Sequence, residues 1–233
     1  MLSKNTKIRL KLLLRFCCDL WSGHYFKMAK KGRVAADFKY SLVLTQEIKR
    51  NENFESKIQN LKIAADKINL FVILPNEIFS FWKIIGNPNI GFAKGRTIRK
   101  GKIETESGGG LCQASGILHQ LSLIAGLKVL ERHNHSVDIY TEESRFCPLG
   151  SDATVVYGYK DLRIKNNFSF PIAFQMQISD AVLSLTLLST EKINEKKIHF
   201  HIEKLEGKKL ITVSDESGVL YRSEYLELAQ QVS

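Results

Sequence analysis

Apolar residues recur at Leu111, Ala114, Ile117, Leu118, Leu121, Ile124 and Ala125, a helical spacing that Gly126 closes. Gly108, Gly109 and Gly110 stand directly before it, so Cys112 falls in the first turn of the predicted helix. Past Gly126 the period drops to two, and Val129, Glu131, His133, His135, Val137 and Ile139 share one face of a strand predicted over residues 128–139. Upstream, Phe54, Ile58, Leu61, Ala65 and Ile68 mark an amphipathic helix leading to a short buried strand at residues 70–74, stopped by Pro75 and Asn76. Ser80 is a candidate N-cap for a short helix to residue 85 within the aromatic cluster of Ile78, Phe79, Phe81 and Trp82. Short strands at 97–99 and 102–104 flank a Lys100-Gly101 turn. From residue 153 onward the pattern is β: runs at 153–157, 162–165, 170–178 and 182–188 read as an antiparallel meander, continued at 198–203, 210–213 and 219–225. The expected fold class is α+β, with N-terminal helices, a Cys-bearing helix packed on a mainly antiparallel sheet and a β-rich C-terminal half.

The first thirty residues interleave Lys4, Lys7, Arg9, Lys11 and Arg15 with Ile8, Leu10, Leu12, Leu13, Leu14, Phe16, Leu20 and Trp21. Charge interrupts the run too often for a transmembrane helix or a secretory signal, so the expected location is cytoplasmic or peripheral on the inner membrane face. Lys11, Arg15 and Asp19 form one polar stripe. The segment reads either as a basic helix on an anionic membrane surface or as a helix packed on the domain with that stripe solvated. The organisation expected is a basic amphipathic segment at 1–35, a domain at 36–190 and a β extension of the same domain at 191–233. With 233 residues, 44% of them hydrophobic, the chain can bury a sizeable core. Its net charge of +10 favours an anionic partner. No zinc-finger spacing, RNA-binding signature or basic recognition helix accompanies that charge, so nucleic acid is not expected. Four cysteines, Cys17, Cys18, Cys112 and Cys147, are too irregular for a disulfide framework.

The candidate chemistry centres on Cys112. Unpaired amides at a helix start favour a thiolate. From Cys112 to Gly126 a helix advances roughly 21 Å at about 1.5 Å per residue. A strand returning at about 3.3 Å per residue regains that length in roughly six residues, near His133 to His135. A Cys/His pair is therefore expected, with His135 or His133 as base and Asp152 as the group that orients it. Three other readings stay open: an inert buried thiol, a turn role for Asp152, and a zinc site of Cys112, His133 and His135, completed by His119 or Cys147. Gln113 and the amides around Gly110 are candidate oxyanion donors. No cofactor is expected.

The blocks GGGLCQ, ERHNHS and GSDATVVYGYKDLRIKN, preceded by EIFSFWKIIG, resemble the VanW family, named for an accessory protein of glycopeptide-resistance clusters. Four separated motifs in order, across residues 71–174, carry the resemblance. It implies a cell-wall context, with a peptidoglycan stem peptide or wall precursor as partner. Some secreted members resemble peptidoglycan transpeptidases that use the cysteine of this glycine block to join diaminopimelate-type residues. Carried onto this chain, the resemblance makes Cys112 the nucleophile of an acyl transfer, and it prefers His135 to His133 as base. Gly108, Gly109, Gly110, Gln113, Trp82, Arg132 and Arg145 are the candidate substrate-binding residues. Trp82, where many secreted relatives have a smaller polar residue, brings the chain nearer to the short VanW proteins. A non-enzymatic accessory that binds a wall precursor or a membrane partner is the competing function.

Overall fold

The computed structural model describes residues 3–32, 37–99, 102–138, 145 and 147–227. Three regular helices matter most. Helix α1 spans Lys4–Trp21, with the Ser3 hydroxyl accepting the Thr6 amide at 3.1 Å as its cap, and a 3-10 turn, His24–Lys27, follows it. Helices α2, Phe54–Ile68, and α4, Leu111–Ile124, are the two amphipathic repeats read from the sequence. A short α3, Phe81–Ile85, starts at Ser80, whose hydroxyl accepts the Lys83 amide.

The strands are β1 (Tyr40–Glu47), β2 (Val72–Ile73), β3 (Ile78–Ser80), β4 (Lys94–Arg99), β5 (Lys102–Ser107), β6 (Lys128–Glu131), β7 (Val137–Asp138), β8 (Arg163–Lys165), β9 (Ile172–Ser179), β10 (Val182–Ser189), β11 (His199–Leu205), β12 (Lys208–Asp215) and β13 (Gly218–Glu227). They form four sheets in the orders β1-β10-β9-β2, β11-β12-β13-β7, β3-β8-β6 and β4-β5. Helices α2 and α4 lie on the first sheet. Strand β10 turns Leu183, Leu185 and Leu187 inward against Leu61 and Ile68 of α2 and Ile117, Leu118 and Leu121 of α4. Burying a leucine or isoleucine of this kind is worth about 2 kcal/mol, so this layer is the main source of stability. The C-terminal sheet closes a smaller cluster, in which Ile211, Val213 and Tyr225 pack with Leu123 of α4 and Leu149. The architecture is α+β, with mainly antiparallel sheets.

Four departures from the sequence pattern bear on the site. The strand expected over 128–139 leaves its ladder after Glu131, past a register shift on β8, and re-forms only at Val137–Asp138, parallel to β13. Residues 153–157 make no strand beyond a bridge from Val156 to Lys160. Strand β8 pairs with β3 and β6 rather than with β9, so the meander is interrupted there. Strand β1 has no clear alternation of apolar and polar residues in the sequence, because its inward positions, Leu42, Leu44 and Gln46, include a polar one. The Lys100-Gly101 turn, Ile139 and residues 141–144 of the loop after it lie outside the described residues.

Candidate functional site

Helix α4 can begin where it does because the backbone before it takes conformations open to glycine. Gly108 and Gly110 have φ of +87° and +93°, and Gly110 is the N-cap. Gly109 is held from outside: the buried Asn60 amide donates to the Gly109 carbonyl at 2.9 Å and to the Ala93 carbonyl at 3.0 Å. A Cβ on Gly95 of β4 would lie 3.1 Å from the Gly109 Cα. The close approach that Gly109 permits is thus taken up by the protein's own hairpin. The Gly110→Ala variant is expected to lose about 1–3 kcal/mol of stability from backbone strain alone. Its new Cβ would also press on Lys57, whose Cγ lies 2.6 Å from that position. Urea unfolding checks this, and an unchanged midpoint would refute it.

Cys112, the second residue of α4, is half-buried with its Sγ 3.9 Å from the Thr154 hydroxyl and 4.0 Å from the Val155 carbonyl. Burial alone raises the thiol pKa, but a hydrogen bond and charge from His135 outweigh it and bring Cys112 below its ordinary value. Burial likewise disfavours a charged His135, yet the Asp152 carboxylate and the Cys112 sulfur push its pKa up to about 10. The directions agree: each group favours the charged form of the other, thiolate for Cys112 and imidazolium for His135. One Asp152 oxygen accepts both the His135 backbone amide at 2.8 Å and its Nδ1–H at 2.7 Å. That leaves Nε2 for the thiol. The other Asp152 oxygen accepts from Arg132 at 3.0 Å and from the Tyr225 hydroxyl. Although burial would raise the Asp152 pKa, His135 and Arg132 hold it well below the usual carboxylate range.

Arg132 is the post to which this arrangement is tied. Its guanidinium donates to the carbonyls of Asp152 at 2.7 Å and Gly150 at 2.8 Å, to the Asp152 carboxylate, and to the hydroxyls of Ser223 and Tyr225. It also lies 4.8 Å over the Tyr221 ring. Only 8% of its side chain is exposed. Arg132 is therefore an internal positioning residue, not the substrate contact expected. Arg145 is likewise committed, to both oxygens of buried Asp138. Gln113 turns away from the thiol and donates to the Glu47 carbonyl at 2.9 Å, so its amide does not serve an oxyanion. Trp82 donates to the Lys160 carbonyl and meets the rings of Phe81 and Tyr157 edge-on, at the rim of the core.

His133 separates from His135 because the strand has ended. Its Nε2 bonds a Glu131 carboxylate oxygen at 3.0 Å, whereas His135 faces Asp152. The expected shared face, and the zinc set built on it, are not formed: among the described residues no three His, Cys, Asp or Glu side chains are grouped to hold a metal ion. His119 is buried elsewhere, donating from Nδ1 to the Ser151 carbonyl at 2.7 Å. A surface hollow of about 490 Å³ beside Glu55, Gln59 and Asp66 of α2 is not lined by Cys112 or His135. Sequence reasoning missed Tyr221, Ser223 and Tyr225. They alternate along β13 and so share one face, a signal that was available.

Fold and site together define an α+β protein with a cysteine at a helix start, backed by histidine and aspartate. The chain belongs to the VanW-like protein family, whose model matches residues 56–188. It is 32% identical over 148 residues to the uncharacterized protein YoaR of Bacillus subtilis (strain 168), covering 63% of this chain and 47% of that one. It is 36% identical over 115 residues to the vancomycin B-type resistance protein VanW of Enterococcus faecalis (strain ATCC 700802 / V583), covering 48% of this chain and 42% of that one. The matches thus span less than half the length of these relatives. No solved structure matches the chain.

Proposed function

We propose that the protein is a cysteine-dependent acyl transferase acting on peptidoglycan stem peptides or their precursors. The observation that carries the chemistry is the Cys112 thiol lowered by His135, whose other nitrogen is fixed by Asp152. The wall as the setting rests on the family resemblance and on a relative named for vancomycin resistance.

In this reading the Cys112 thiolate attacks a peptide carbonyl carbon. A C–S bond forms, and the oxyanion is met by the Cys112 amide, one of the first-turn N–H groups that a helix leaves without an intrahelical acceptor. The C–N bond then breaks, and the imidazolium gives its Nε2 proton to the departing amine. An acceptor amine, or water, attacks the thioester while His135 takes up its proton, and the thiolate is regenerated. Asp152 and Arg132 position His135 and touch no reacting atom.

The test is Cys112 alkylation against pH in protein carrying Cys17→Ser, Cys18→Ser and Cys147→Ser, read by mass spectrometry. The thiolate is the reactive form, so a lowered pKa moves the onset of reaction below the ordinary thiol value of about 8.5. The raised His135 pKa of about 10 means that the imidazolium persists across the neutral range. Onset below the ordinary thiol value, and a plateau above it, are expected. Onset at or above the ordinary value, in folded protein, would sink the nucleophile and leave the accessory role standing.

A further inference from the structure

Helix α1 is seated the wrong way round for a helix of a water-exposed domain. It meets the domain through Ile8, Leu12, Arg15 and Asp19, which recur at helical spacing on one side. Ile8 rests on Gly158, where an added Cβ would lie 3.2 Å from the Ile8 Cγ2. Arg15 donates to both oxygens of Glu131, and Asp19 takes a two-point bond from Arg163 at 2.5 and 3.0 Å. Arg15 and Asp19 therefore point inward, whereas Leu10, Leu13 and Leu14 point out. Leu10, Leu13 and Leu14 are each about half exposed, Trp21 is 96% exposed, and Phe26 in the following turn is 72% exposed. At about 100° per residue, Leu10, Leu14 and Trp21 project opposite Asp19, with Lys7 and Lys11 on one flank and Arg9 on the other. The one acid of α1, Asp19, is buried and paired, so α1 itself places no negative charge among those flanks.

We propose that this outer face of α1 and the turn after it form a docking surface for an anionic lipid bilayer. The leucines and Trp21 would enter the boundary between headgroups and acyl chains, and Lys7, Arg9 and Lys11 would meet the headgroup phosphates. Among the described residues no helix is long and apolar enough to cross a membrane, so α1 lies on the surface rather than through it. A second copy of the chain would offer the same basic flanks to one another, and their like charge favours the lipid surface instead. Binding at α1 is independent of the chemistry assigned to Cys112, and its test needs no turnover.

The experiment is sedimentation of the full chain with vesicles of phosphatidylglycerol mixed with phosphatidylcholine, and with vesicles of phosphatidylcholine alone. Affinity for the anionic vesicles is expected to be about a hundredfold greater, and to fall with added salt. The Leu14→Glu/Trp21→Glu variant is expected to bind at least about tenfold more weakly at unchanged circular dichroism, because both side chains face away from the domain. Should that variant misfold, Lys7→Glu/Lys11→Glu reads the same surface through its charge. Equal partition to both vesicles, full binding by a folded variant, or a concentration-dependent dimer that ignores vesicles would each overturn the proposal.

Discussion

The His135→Ala variant is expected to alkylate at Cys112 roughly tenfold or more slowly than the parent at neutral pH, although the thiol itself is untouched. Burial of Cys112 opposes the thiolate, and His135 is the leading counterweight. Without the imidazolium, only the smaller effects of Val155 and Thr154 oppose the desolvation cost, and the thiol pKa is expected to climb past its ordinary value of about 8.5. At pH 7 the thiolate fraction then falls to a few per cent or below. A more basic thiolate is a better nucleophile, but with a sensitivity of about 0.4–0.5 per pKa unit that gain recovers only part of the loss. The measurement is the second-order rate constant from pH 6 upward, in the background lacking the other three cysteines. Parent and variant should converge at high pH, where both thiols are ionised. A variant as fast as the parent at pH 7 would show that the helix start alone sets the reactivity of Cys112.

Replacing Arg132 by methionine is expected to cost about 3–5 kcal/mol, the range for removing one partner of a buried ion pair. At about 2–4 °C per kcal/mol for a chain of this size, the unfolding midpoint should drop by roughly 10 °C. Methionine fills much of the volume but leaves the Asp152 carboxylate, two carbonyls and two hydroxyls without their common donor. Arg132→Lys is expected to rescue little, because one ammonium cannot reproduce a planar fork that reaches five acceptors. Calorimetry decides between them. A drop of less than about 2 °C would mean that water replaces the guanidinium at little cost. In protein that stays folded, the alkylation onset of Cys112 should also move up, since Asp152 would no longer hold Nδ1 of His135 in place.

The parts of this site that were legible in the sequence are the local ones. Helix α4 announces itself by its period, and its glycine lead places Cys112 in the first turn. The loop closure from Gly126 brings the chain back toward the thiol at the right distance, although the choice between two histidines did not follow from alternation. That choice is made where the ladder stops: the His133 carbonyl accepts the Thr154 amide at 2.7 Å, and Asp152 takes the His135 amide. Both partners lie far along the chain. Arg132 and Gln113 find acceptors remote in sequence and Arg145 one only seven residues back, but in the sequence a polar residue beside a nucleophile looks the same whether it faces solvent or an internal partner. For α1 the pattern showed an amphipathic helix but not which side would face the domain, because that depends on Glu131 and Arg163, more than a hundred residues away.

The clamp on Asp152 has two origins. Cys112, Arg132, His135 and Asp152 lie within the stretch common to the family, residues 56–188, whereas Tyr221, Ser223 and Tyr225 come from a sheet beyond it. The four residues thus fall inside the stretch that the family model covers, while part of what holds Asp152 comes from beyond it. Changes on β13, about a hundred residues from the thiol along the chain, can therefore alter how firmly His135 is aimed without altering any of these four residues.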